Sequence, residues 1–93
     1  MHDNSTAQLD ARRKQLLYRA SHRGIKEMDI ILGGFAAVHI ASLDDAALDT
    51  LETLMDNSDR DLLTWFTGEV EAPEHVRTPL FAAIAAHQAA SVS

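Results

Sequence analysis

Apolar residues in this 93-residue chain recur every three to four positions in five short runs, and nowhere do they alternate with polar ones. That spacing is the period of one helix face and not of a strand, so it commits the chain to an all-α fold. A stop signal ends each run and the joins are brief, which makes antiparallel neighbours the expected arrangement. The expectation is a small antiparallel bundle of five short helices. Hydrophobic residues make up 46% of the chain, enough for one modest core and a single domain over residues 1–93. The ends, residues 1–5 and 91–93, are expected to fray.

Taken in order, the first helix is predicted from about Thr6 to His22. Ser5 or Thr6 would cap it, and Leu9, Leu16, Leu17 and Ala20 fall on its apolar side. Gly24 would stop it, because glycine enters the left-handed conformation without a Cβ penalty. A second helix follows over about Ile25 to Ile40, with Met28, Ile31, Leu32, Phe35 and Val38 as its stripe. Glu27 falls in its first turn, where a carboxylate can reach back to free amides and meet the positive end of the helix dipole. The mid-helix pair Gly33-Gly34 costs roughly 1 kcal/mol per glycine relative to alanine. Close approach of a neighbouring helix, or a kink, would compensate. Ser42-Leu43-Asp44-Asp45 opens a third helix to about Asp56, cored by Ala47, Leu48, Leu51, Leu54 and Met55. Asn57-Ser58 caps a fourth from Asp59 to Thr67, which carries Leu62, Leu63, Trp65 and Phe66 and ends at Gly68. After a loop, Thr78-Pro79 opens a fifth to about Ala90, with Leu80, Phe81 and Ile84.

Several chemistries lack their residues. There is no cysteine, which removes disulfides, thiolate zinc sites, iron–sulfur clusters and a cysteine nucleophile. His2, His22, His39, His75 and His87 show no ligand spacing, so no metal site is expected. Ser21, His22 and Glu27 match a nucleophilic triad by residue type alone, without a strand-to-helix elbow, so no catalytic residue is expected either. The glycines give no phosphate loop. No apolar run approaches the ~18 residues of a membrane span, and the polar start carries no signal-peptide apolar region. The expected address is the cytoplasm, without membrane insertion.

The net charge of −6 is unevenly spread. Residues 1–26 hold six basic residues against two carboxylates, a balance of +4, while residues 27–93 hold two against twelve, a balance of −10. Such polarity can orient a partner during encounter. Six basic residues without an aromatic platform make too thin a footprint for nucleic acid. Trp65 with Phe66, and Phe35 with Phe81, read first as core, with Trp65 as interface anchor the rival reading.

The most charged turn is Ser21-His22-Arg23-Gly24-Ile25-Lys26-Glu27-Met28-Asp29. A cap glycine and a capping glutamate account for Gly24 and Glu27. They do not account for Arg23 and Asp29, nor for Arg19 one turn upstream. Arg23 offers a planar fork of donors suited to carboxylate or backbone recognition. Residue chemistry alone leaves this corner open between structure and recognition.

Arg23-Gly24-Ile25-Lys26-Glu27-Met28-Asp29 resembles the R-G-x-x-E-x-D signature of the succinate dehydrogenase assembly factor family, the SdhE-type FAD assembly (flavinylation) factors. Phe35 follows at the family's spacing, an acidic helix opens after Ser42-Leu43, and Asp59, Leu62, Trp65 and Phe66 resemble its D-x-x-L-x-x-W-[LF] element. The resemblance spans about Tyr18 to Gly68, half the chain. It departs in Gly33-Gly34 and in the alanine-rich last helix.

What the resemblance implies is a helical bundle that is not an enzyme and carries no cofactor. Its partner would be the flavoprotein subunit of succinate dehydrogenase or fumarate reductase, bound before that subunit joins the membrane complex. The client holds the FAD, whose covalent attachment the factor promotes, and the free factor is expected to be a monomer. Arg23, Gly24 and Glu27 would meet the client, with Asp29, Arg19 and Trp65 in support. Some members of the family have been labelled antitoxins, so an antitoxin-like interaction module is the alternative.

Overall fold

The computed structural model describes residues 9–92, and within them every regular element is helical. The elements are α1 (Ala11–Ser21), α2 (Lys26–His39), α3 (Asp45–Met55), α4 (Asp59–Thr67) and α5 (Pro79–Val92), with 3-10 turns at Ile40–Ser42 and Glu74–Val76. The sequence expectation of five helices holds, with corrections at three of the ends.

Helix α1 begins later than its sequence pattern suggests. Its N-cap is Asp10, whose carboxylate accepts from the Arg13 N–H at 2.8 Å, and Leu9 lies before the helix as a buried residue. Ser5 and Thr6, like both fraying ends apart from the helix at 91–92, lie outside the described residues. Helix α3 is capped by Asp44, which accepts from Ala47 N–H at 2.8 Å, rather than by Ser42. Ser42 lies in the preceding 3-10 turn and donates to the His39 carbonyl at 2.9 Å. Ser58 and Thr78 cap α4 and α5 as expected, accepting from Asp61 N–H and Phe81 N–H, each at 3.1 Å. Gly68 ends α4 at φ 82°.

Helix α2 is the centre of the bundle. It packs on α1, α4 and α5, and α3 packs on α1 and α5. Met28, Ile31, Leu32, Phe35 and Ala36 are buried, meeting Leu16 and Ala20 of α1, Leu48, Leu51, Leu54 and Met55 of α3, Leu62 of α4 and Leu80 and Ile84 of α5 in one core. Val38 is the exception in the expected stripe: it is 64% exposed, because α2 is apolar nearly all round and its packed face lies on the other side. Each fully buried leucine, isoleucine or methionine contributes about 1.5–3 kcal/mol through its removal from water.

The two mid-helix glycines have different explanations. A Cβ on Gly33 would stand 2.9 Å from Ser21 Oγ and 3.0 Å from Ser21 Cα, so Gly33 is where the end of α1 rests against α2. Arg13 reaches the opposite end of that antiparallel pair, donating from Nε to the Ile40 carbonyl at 3.1 Å and from Nη2 to the Leu43 carbonyl. Those donors tie α1 to the 3-10 turn that follows α2 and to the residue after it. Gly34, by contrast, has nothing within 4 Å of a built Cβ. Inside this fold, nothing requires it to be glycine.

The uneven charge has largely an internal use. Arg12 pairs with Asp49 and, at 3.3 Å, with Glu52; Arg19 pairs with Asp56 at 3.4 Å and Glu52 at 3.8 Å. This ladder joins the basic face of α1 to the acidic face of α3. Exposed pairs of this kind contribute at most about 1 kcal/mol each, so the ladder fixes register more than it stabilises.

Candidate functional site

The turn between α1 and α2 is held from a distance, by the junction of α3 and α4. Arg23 donates from Nε to Asp59 Oδ1 at 2.6 Å, and from Nη2 to the Met55 and Asn57 carbonyls at 3.0 and 3.2 Å. The second oxygen of Asp59 accepts from the Gly24 N–H at 2.6 Å. The Asp29 carboxylate accepts from the Arg23 N–H. The guanidinium therefore sits at the negative C-terminal end of α3, and the carboxylate it grips lies in the first turn of α4, at the positive end. Both side chains are mostly shielded, with 11% and 17% of their surfaces exposed.

That shielding alters Asp59 in two opposed ways. Burial pushes its carboxyl up, but the Arg23 hydrogen bond, the Gly24 N–H, the Arg23 charge and the Ile25 N–H together outweigh it. The net result is a carboxyl below its ordinary range, held ionised by the turn it anchors.

These contacts account for the two residues that capping left unexplained. Arg23 and Asp29 are not surplus charge; both are bonded within the fold. Nor does Gly24 take a left-handed conformation, since among the described residues Gly68 alone has positive φ. Helix α1 ends at Ser21 with His22 as its C-cap, and Gly24 serves close approach: a Cβ there would lie 3.2 Å from Asp59 Oδ2. Asp29, and not Glu27, is the carboxylate that reaches back to the turn. Glu27 is exposed, and no described residue forms a hydrogen bond or ion pair with its side chain. Lys26 beside it is exposed as well.

The remaining expected site residues are placed as follows. Arg19 belongs to the α1–α3 ladder. Trp65 is half-buried and packs on the core, while Phe66 stacks on Phe81 with centroids 4.5 Å apart. Ser21 rests over Gly33, and His22 stacks on exposed Tyr18 at 4.0 Å with its Nδ1 2.8 Å from the Tyr18 carbonyl. The triad by residue type thus has no shared geometry. A shallow recess of about 280 Å³ opens at the corner between Tyr18, Arg19, His22, Arg23, Gly24 and Asp59. Among the described residues no group of three or more histidines and carboxylates stands close enough to hold a metal ion.

Asp59 is the residue that sequence reasoning did not bring to the turn. Its one local signal was an extra acid opening a helix that Ser58 already caps.

A family model described as the flavinator of succinate dehydrogenase matches residues 14–88, which include the whole corner and its anchor. The chain belongs to this family. It is 36% identical over 72 residues to the FAD assembly factor SdhE of Acetobacter pasteurianus, covering 77% of this chain and 66% of that protein. It is 31% identical over 85 residues to a mitochondrial succinate dehydrogenase assembly factor 2 of Dictyostelium discoideum, covering 91% and 60% respectively. The corresponding factor of Schizosaccharomyces japonicus is 41% identical over 63 residues, 68% of this chain and 44% of that protein. The chain thus spans less than two-thirds of the length of these relatives. For a flavinator-family chain, the corner separates the signature residues into two kinds. Arg23, Gly24 and Asp29 build the turn, and Glu27 is presented by it.

Proposed function

We propose that this chain is an assembly factor that binds the flavoprotein subunit of succinate dehydrogenase, or of fumarate reductase, and promotes covalent attachment of FAD to that subunit. The observation that carries the reading is Glu27: an exposed side chain with no hydrogen bond or ion pair among the described residues, on a turn fastened by Arg23, Asp29 and Asp59. A fixed turn holds Glu27 in one orientation without an ordering cost on binding, which is how preorganisation raises affinity. Arg23 acts behind it as a positioning residue, with most of its donors already used.

The face beyond Glu27 supports the same assignment. Ile30, Gly34 and Val38 follow at helical spacing, and Ile30 and Val38 are 56% and 64% exposed. Gly34 stands between them with open space around it, so a client backbone can approach there at van der Waals distance. The factor holds no FAD and does no chemistry in this reading. It binds one conformation of its client more tightly than others and shifts the population towards it. It acts as a monomer in the cytoplasm, before the client reaches the membrane. No helix among the described residues is long and apolar enough to cross one.

The test is co-expression of the succinate dehydrogenase flavoprotein with and without this chain, read as flavin fluorescence in denaturing gels, where only covalent FAD survives. Fluorescence that depends on this chain is the expected result. Equal fluorescence in both lanes removes the proposal, and rescue of growth arrest by a small toxin would then favour an antitoxin.

A further inference from the structure

Two histidines far apart in sequence meet between α2 and α5. His39 is the last residue of α2 and His87 lies in the second half of α5. Their ring centroids stand 5.5 Å apart with planes at 83°. Phe35 closes one side, 4.7 Å from His39 and 5.8 Å from His87. The rings line an open groove of about 500 Å³ whose other walls are Leu43, Leu80, Ala83 and Ala86. No lysine or arginine enters that lining.

The separation of the rings is informative. Two imidazole nitrogens bound to one ion at ~2.0–2.1 Å, in tetrahedral geometry, place their ring centroids about 5.2 Å apart. The observed centroid separation is within a few tenths of an ångström of that value. His39 stands at the negative end of the α2 dipole, where a cation is favoured. Neutral imidazole suits zinc, nickel and copper ions, and an open groove leaves water to complete the coordination.

We infer that His39 and His87 form a two-histidine site for a divalent transition-metal ion, bridging α2 and α5. The site lies apart from the Arg23–Asp59 corner and does not depend on the assembly-factor reading. Its consequence is mechanical. The larger anchors of α5, Leu80, Phe81 and Ile84, all lie in its first half, so an ion at His87 fastens the distal half to the central helix.

The experiment uses the full chain without a histidine tag, titrated with zinc chloride and followed by calorimetry and thermal unfolding. One equivalent should bind, and the midpoint should rise with zinc concentration. At zinc tenfold above Kd the folded-to-unfolded ratio should increase about 11-fold. His39→Gln and His87→Gln should each abolish the shift, while His2→Gln, His22→Gln and His75→Gln should keep it. Binding that survives His87→Gln, or absence of binding to the unmodified chain, overturns the inference. Should either glutamine variant fail to fold, imidazole NMR resonances of the unmodified chain decide. His39 and His87 must shift together at one equivalent, and failure of either to shift overturns the site.

Discussion

Asp59→Ala is the substitution that most fully exposes how the corner is built. It removes the acceptor for both Arg23 Nε and the Gly24 N–H, each at 2.6 Å. Hydrogen bonds to charged groups are worth about 1.5–3 kcal/mol each, and removing one partner of a buried ion pair costs about 3–5 kcal/mol. Arg23 keeps the Met55 and Asn57 carbonyls, and both partners retain some exposure, so the lower end applies. We expect a loss of about 3 kcal/mol, out of the ~5–14 kcal/mol that a chain of this length has at ~0.05–0.15 kcal/mol per residue. At a urea slope of ~1–1.5 kcal/mol/M, the midpoint falls by about 2–3 M while the slope stays unchanged. The decisive form is a double-mutant cycle with Arg23→Ala, in which the two losses should overlap by at least about 1 kcal/mol. Losses that add to within ~0.5 kcal/mol would refute the claim that these residues act as one latch.

Three further outcomes follow from the same contacts. Gly34→Ala should raise stability by about 0.5–1 kcal/mol in thermal or urea unfolding, because alanine is the better helix residue and open space surrounds the site. Gly33→Ala should lower stability despite the same propensity gain, because its Cβ would meet the Ser21 backbone at 3.0 Å. For pH, the Asp59 carboxyl titrates below its unfolded value near 3.8, so its contribution is fully present above that value and is lost as pH falls through the folded one. Urea midpoints measured from neutral pH down to about pH 3 should therefore fall less steeply for Asp59→Asn than for the unmodified chain; parallel curves would contradict this.

Much of this architecture was legible because it is local. Ser58, Gly68 and Thr78-Pro79 each have one reading, and the structure places the ends of α4 and the start of α5 there. Where two local signals competed, pattern reading chose the wrong one. Asp10 caps α1 where the sequence pattern starts the helix earlier, and Asp44 prevailed over Ser42, since any of these side chains can accept from a free amide. The exposed side of α2 was illegible for a different reason. Ile30 and Val38 are as apolar as Ile31 and Phe35, so periodicity does not tell which of them face the core.

The bonds that hold the corner together were not legible. Its charge was visible, but the partner of Arg23 lies 36 residues along the chain and the pairing follows no period. That His39 and His87 meet was illegible for the same reason. Spacing within one helix is readable, while neighbours from two packed helices appear only when the helices are placed.

Glu27 is presented while its neighbours hold the turn, and Glu27→Gln tests that division most directly. The change keeps the side chain's size, removes its charge, and touches no described hydrogen bond. Stability should stay within about 0.5 kcal/mol of the unmodified chain, as for a surface substitution. In co-expression with the succinate dehydrogenase flavoprotein, covalent flavin fluorescence should fall to the level seen without the factor. Undiminished fluorescence with Glu27→Gln would contradict that division, and would mean that the corner does not meet the client through Glu27.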